Sequence, residues 1–177
     1  TEPLVATRNL SRALSGKDVL PNISFTVDRG QVRALIGSNG AGKSTLARCL
    51  AGRARPTAGK IYLDGHDIAD LRRREVALRI CYLPQIQGDV PGFTVREYVM
   101  LGRYAHSTLW RGMDRRDNVV ADRAMERVGI AHLSDRLVPT LSGGERQLAA
   151  LAAGLAQEAE LLILDEPTTY LDPSRQD

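Results

Sequence analysis

Aromatic side chains are scarce in this chain, at 5% with a single tryptophan, so any core must be built from aliphatic residues. Cysteine is scarcer still. Cys49 and Cys81 are the only two, both lie in apolar stretches, and neither has a metal-ligand spacing. That excludes a disulfide framework and a cysteine-based zinc centre, and reads as reduced core thiols of a cytosolic protein. No long apolar run is present: the longest, Leu148 to Ala156, falls well short of the about 20 residues that cross a bilayer. Thr1-Glu2-Pro3-Leu4 has no signal-peptide pattern. A role at a membrane would therefore need a partner to supply the span. There is no internal repeat and no low-complexity segment.

Charge of one sign is also missing. The net charge is +3 with a pI near 9.1, but both signs are spread along the chain. Arg72-Arg73-Arg74 and Arg111-Gly112-Met113-Asp114-Arg115-Arg116 are the only dense basic spots. Each reads as a solvated helix face, not a nucleic-acid patch. What is plentiful is aliphatic: 43% of 177 residues are hydrophobic, enough for one domain with a real core.

The most informative stretch is Gly37-Ser38-Asn39-Gly40-Ala41-Gly42-Lys43-Ser44-Thr45. It matches G-x-x-x-x-G-K-[ST], follows the apolar run Val32 to Ile36, and opens a helical pattern, which is the strand, loop, helix context of a phosphate-binding loop. Glycines at 37, 40 and 42 let consecutive backbone N–H groups turn toward an oxyanion. The helix starting at Lys43 adds a positive dipole end. Lys43 reaches the β- and γ-phosphates as a point charge, and the Ser44 hydroxyl is placed to bind Mg²⁺.

Two further stretches bear on the same chemistry. Leu161-Leu162-Ile163-Leu164 reads as a strand buried on both faces, as in a parallel sheet, and ends in Asp165-Glu166. Ligands of open α/β sheets bind at such carboxyl ends. Asp165 can hold Mg²⁺ and Glu166 can deprotonate an attacking water. Leu141-Ser142-Gly143-Gly144-Glu145 starts another helix, with Ser142 as N-cap, Glu145 at the third position, and Leu148, Leu151, Ala152 and Leu155 on one apolar stripe. A capping box explains Ser142 and Glu145. The adjacent glycines, which cost a helix about 1 kcal/mol each, point to a second anion site.

Around these motifs, the alternation in residues 3 to 30 predicts antiparallel strands. A turn at Pro56 to Gly59 precedes a strand over 60–63, a second turn at Asp64-Gly65, a short polar helix over 67–74 and a buried strand over 80–83. Helices are expected at 94–103, with the Thr94/Glu97 capping-box spacing, and at 114–128.

The three motifs, in this order, resemble the nucleotide-binding subunit of ABC transporters over nearly the whole chain. The resemblance implies an α/β P-loop NTPase: a RecA-like parallel core at 32–85 and 158–177, an antiparallel β subdomain at 1–31 and an inserted helical subdomain at 86–157. It implies that Gln85 is the Q-loop ligand of Mg²⁺ and water, and that Tyr170-Leu171-Asp172 is the D-loop. Two copies would pack head to tail, with Ser142, Gly143, Gly144, Glu145 and Asp172 of one closing over the ATP held by Lys43 of the other. Glu166 would then drive hydrolysis.

Thr94 to His106 and Asp165 to Asp172 look like bacterial importers of iron-siderophore complexes, haem or cobalamin. The implied partners are integral-membrane permease subunits and, indirectly, a substrate-binding protein, with the subunit peripheral on the cytoplasmic face and no nucleic acid involved. A soluble ABC protein acting on nucleic acid or ribosomes is the alternative, but the segment 86–157 has neither heptads nor cysteine pairs. A nucleotide-dependent binder without turnover would lack a base, whereas Glu166 is present. Two departures stand out. No aromatic ring for adenine lies near Leu14. The family's switch histidine follows the D-loop, and His66, His106 and His132 all precede Asp165, so each reads as a surface or packing residue and the chain reads as truncated after Asp177.

Overall fold

The computed structural model describes residues 2–84, 92–107 and 113–165. It forms two compact units, residues 1–82 and 83–177.

In the first unit, β1 (Val5–Leu14) and β2 (Lys17–Val27) form an antiparallel hairpin, with Leu14 opposite Lys17. Its two-residue loop, Ser15 and Gly16, has positive φ at both positions (49° and 78°), the geometry whose twist matches the flanking strands. On the other edge of β1 lies β3 (Ala58–Leu63), which turns through Asp64 and Gly65 into the short β4 (His66–Asp67). The sheet order is β2-β1-β3-β4, so it recruits residues well past position 31. One face is dry: Val5, Leu10, Leu20, Ile61 and Leu63 are almost fully buried. The helix α1 (Lys43–Leu50) buries Leu46, Ala47, Cys49 and Leu50. The short polar helix expected over 67–74 divides into a 3-10 turn at Ile68–Asp70 and α2 (Arg73–Arg79), and β5 (Ile80–Leu83) follows. Both cysteines are buried and free, and burial pushes the Cys81 thiol up to about 11 against the opposing charge of Arg53.

The second unit is a helical cluster. Here α3 (Val95–Met100), α4 (Arg115–Arg127) and α5 (Gly143–Ala156) surround Val95, Val99, Ala121, Met125, Ile130 and Val138. The stripe on α5 differs from expectation. Ala149, Ala152 and Ala156 are fully buried, while Leu148 and Leu155 only pack against the cluster from its edge. Small residues let α3 and α4 approach the α5 backbone closely, so the larger leucines are displaced to the periphery. Gly102, in the 3-10 turn after α3, makes this explicit, since a β-carbon there would run into the carbonyl of Ala153.

Two strand expectations need correction. Residues 31–38 have no strand assignment, and Val32 and Ile36 are each 95% exposed. A strand is defined by its ladder, and among the described residues no neighbouring strand pairs with this run. Then β6 (Leu161–Leu164) forms as expected, but Leu162 and Leu164 are 37% and 41% exposed, so it is not buried on both faces among the described residues. Its Leu/Ile run supplies the propensity, and burial awaits covering elements that the run itself does not specify.

Candidate functional site: two helix starts and a strand end

The phosphate-binding loop lies in the first unit. Gly40 and Gly42 both take left-handed backbone conformations, with φ of 82° and 88°. Glycine is required at 42 for a second reason: a β-carbon there would come within 2.7 Å of the Val19 carbonyl and 2.8 Å of a Leu20 methyl. The loop is closed by the Ala41 N–H donating to the Ser38 carbonyl at 3.1 Å, and α1 begins at once with Leu46 N–H to Gly42 carbonyl at 2.8 Å. Gly42 is the N-cap of α1, and no side chain caps it. No side chain thus competes for an anion at the start of α1, and the dipole favours one.

Lys43 points back over this loop. Its ammonium donates to the carbonyls of Gly37 at 2.7 Å and Ser38 at 3.0 Å. The positive charge is held above the glycine backbone by weak neutral acceptors, which a phosphate oxygen would outcompete as a charge-assisted partner. Left-handed glycines, an uncapped helix start and a tethered ammonium together fit a nucleotide phosphate chain.

The second helix start, at α5, is organised differently. The Ser142 Oγ accepts from the Glu145 N–H at 3.3 Å, and the Glu145 carboxylate accepts from the Ser142 N–H at 2.8 Å, a reciprocal capping box. The hydrogen bond to the Ser142 N–H is the largest effect holding the Glu145 carboxyl below its usual range, with Arg136 and His132 acting in the same sense. Ser142 is exposed, and its hydroxyl serves the box twice, accepting from the Glu145 N–H and hydrogen-bonding the Glu145 carboxylate. The same device starts α3, where Thr94 and Glu97 cap each other.

Asp165 follows directly on β6 and its N–H donates to the Leu83 carbonyl at 3.0 Å, which fixes the carboxylate at a strand end. Gln85, Glu166 and Asp172 lie outside the described residues. The histidines act as packing and surface groups: His66 meets the Asp64 carbonyl at 2.8 Å, His106 meets the Gln157 carbonyl at 2.7 Å, and His132 is exposed. Among the described residues no group of His, Cys, Asp and Glu side chains forms a metal cluster.

Sequence reading missed two arginines. Arg103, 3% exposed, donates to Asp117 of α4 at 2.9 Å, to the carbonyl of Ala156, the last residue of α5, at 2.7 Å, and to Glu158 just beyond it at 2.8 Å. Arg136 sits 3.8 Å from Glu145. The only sequence signal for the first is a lone arginine beside a glycine in an apolar segment; for the second there is none, because eight residues intervene, through a 3-10 turn at Val138–Thr140 and the start of α5.

The model of the ABC transporter family matches residues 20–169. The ferric enterobactin transport ATP-binding protein of Escherichia coli is 45% identical over 159 residues, covering 89% of this chain and 58% of that protein. The hemin import ATP-binding protein of Gloeobacter violaceus is 44% identical over 171 residues, covering 92% and 61%. An inward-facing structure of a metal-chelate type ABC transporter superposes with a TM-score of 0.83 at 31% identity, covering 100% of this chain and 65% of that one. The chain spans about 60% of the length of these two relatives. With the phosphate loop on α1 and Leu-Ser-Gly-Gly-Glu at the start of α5, the chain belongs to the ABC transporter family of ATP-binding cassettes.

Proposed function

We propose that this chain is the ATP-binding and ATP-hydrolysing part of the motor subunit of a bacterial importer for an iron complex, haem or a cobalamin-type cargo. The observation that carries the reading is the pair of helix starts: α1, with no side-chain cap behind left-handed Gly42, and α5, where a Ser142–Glu145 capping box sets exposed Ser142 at the head of two glycines. The ferric enterobactin and hemin relatives support the cargo class.

In this reading Gly37 to Thr45 hold the α-, β- and γ-phosphates by backbone N–H groups, with Lys43 on the terminal oxygens. Ser44, Gln85 and Asp165 would hold Mg²⁺, which would supply positive charge to offset that of the phosphates. Glu166 takes the proton of the attacking water. Two copies associate head to tail, each presenting Ser142, Gly143, Gly144, Glu145 and Asp172 to the nucleotide of the other, and hydrolysis releases the closed dimer. The RecA-like core at 32–85 and 158–177 and the helical segment 86–157 then divide the work between nucleotide and permease. No described helix is long and apolar enough to cross a membrane; in this reading motion passes to separate permease subunits while the motor stays on the cytoplasmic face. The coupling surface lies in Gln85 to Tyr104, where Leu101 and Tyr104 are 45% and 75% exposed.

Co-purification tests the proposal. The chain with Glu166→Gln, loaded with ATP and Mg²⁺ on solubilised membranes of the source organism, should retain one multi-span permease with two copies of the subunit. Recovery of nucleic acid or ribosomal proteins without a membrane protein would overturn transport and leave the ATP chemistry standing.

A further inference from the structure

The start of α5 carries a problem that its capping box creates. Accepting from the Ser142 N–H favours the ionised form of Glu145, and this puts a negative charge in the same helical turn as Gly143 and Gly144. If the triphosphate of the opposing subunit docks on those residues, as the proposed function requires, the carboxylate opposes it.

Arg136 is the answer the fold supplies. Its guanidinium stands 3.8 Å from the Glu145 carboxylate, with the two side chains 59% and 32% exposed. An ion pair so open to water contributes little to stability. Yet the Arg136 backbone is held firmly. Its carbonyl accepts from the Val95 N–H at 2.9 Å and its N–H donates to the Leu133 carbonyl at 2.9 Å. On either side, Arg96 N–H donates to the Ser134 carbonyl and Val138 N–H to the Phe93 carbonyl, both at 2.9 Å, with Thr94 and Leu137 bridged as antiparallel partners. Residues 134–138 are thus strapped to the N-terminal end of α3, and four residues later the chain reaches Ser142. A side chain of low stabilising value on a tightly fixed backbone is the arrangement expected of a group whose charge matters at a neighbouring site.

We propose that Arg136 is a positioning residue for the trans nucleotide: it offsets the charge of Glu145, so that the capping box can order Ser142, Gly143 and Gly144 without repelling the phosphate they receive. The proposal rests on the signature motif binding nucleotide across the dimer, and its test separates the two. Because the strap is made by backbone groups, side-chain changes at 136 leave it intact.

ATP-driven dimerisation of the chain carrying Glu166→Gln, followed by sedimentation at 50 mM salt, reads the effect directly. Arg136→Ala should raise the ATP concentration for half-maximal dimerisation about threefold to tenfold with an unchanged melting temperature, while Arg136→Lys stays near the parent. At 1 M salt, where the screening length is about 3 Å, the difference should shrink toward unity. In a Glu145→Gln background, which keeps the cap, Arg136→Ala should shift the midpoint by less than about twofold from Glu145→Gln alone. An undiminished loss in that background, or no loss in the parent, overturns the role of Arg136. Dimerisation that survives Ser142→Arg overturns the trans-nucleotide reading itself, and the proposal with it.

Discussion

Arg103 and Asp117 form an ion pair 2.9 Å long whose side chains are only 3% and 7% exposed, inside the helical unit. The same guanidinium reaches the Ala156 carbonyl and Glu158, so one side chain joins the turn after α3, the first turn of α4 and the end of α5. The carbonyls at a helix C-terminus lack partners within the helix and favour a cation, and Arg103 satisfies both demands. Removing one member of such a pair leaves an uncompensated buried charge. Arg103→Met should therefore cost about 3–5 kcal/mol in urea denaturation, far more than loss of the exposed Arg96–Asp122 pair at 2.7 Å.

That pair also sets a pH dependence. Burial acts to raise the Asp117 carboxyl, but the hydrogen bond from Arg103 and that from the Asp114 N–H outweigh it, and the net shift is downward. A carboxyl with a lowered folded-state value stabilises the fold above its unfolded value, near 3.9, and loses that contribution as pH falls through the folded value. The stability difference between the parent and Asp117→Asn should accordingly stay level from pH 8 to 5 and shrink below about pH 4, measured as the shift in urea midpoint.

Gly42 and Gly102 are both positions where sterics require glycine. Gly42→Ala would combine a φ of 88° with a contact to the Val19 carbonyl, and Gly102→Ala would drive a methyl into the Ala153 carbonyl against the helix core. Each should destabilise by at least about 2 kcal/mol, whereas Gly16→Ala, with a φ of 78° but open space around it, should cost about 1 kcal/mol. Thermal melts of the three variants rank them. A shift for Gly42→Ala no larger than that for Gly16→Ala would show that backbone strain alone, without the clash, sets its cost.

The thiols should be silent in the folded protein. With the Cys81 group at about 11 and Cys49 also raised by burial, roughly one Cys81 in a thousand is thiolate at pH 8. An aromatic disulfide reagent should label neither cysteine until denaturant is added, and labelling that keeps pace with a free thiol would contradict the burial of both.

For the chemistry, Glu166→Gln should lower ATP turnover about 10²- to 10⁴-fold with binding retained, since shape is kept and the base is lost. Lys43→Ala should abolish binding instead, because the ammonium above the Gly37 and Ser38 carbonyls is the tethered charge of the loop. A fluorescent nucleotide titration beside a phosphate-release assay distinguishes the two effects.

Local chemistry alone determined much of this protein. Glycines at 40 and 42, the second of them opening Gly-Lys-Ser, already specify a left-handed loop and a helix start, because only glycine enters that backbone region freely. The reciprocal caps at Thr94/Glu97 and Ser142/Glu145 follow from residue spacing in the same way, as do the hairpin strands of β1 and β2 from period-2 alternation. Tertiary structure decided what spacing cannot encode. Val32 to Ile36 has strand composition but no ladder partner among the described residues, since pairing is a property of two segments. Alanines rather than leucines line the inner face of α5 because the closeness of α3 and α4 sets the room available. Arg103 and Arg136 acquire their partners 14 and nine residues away only once the helices pack, because the charge on a side chain acts through distance in space and not along the chain.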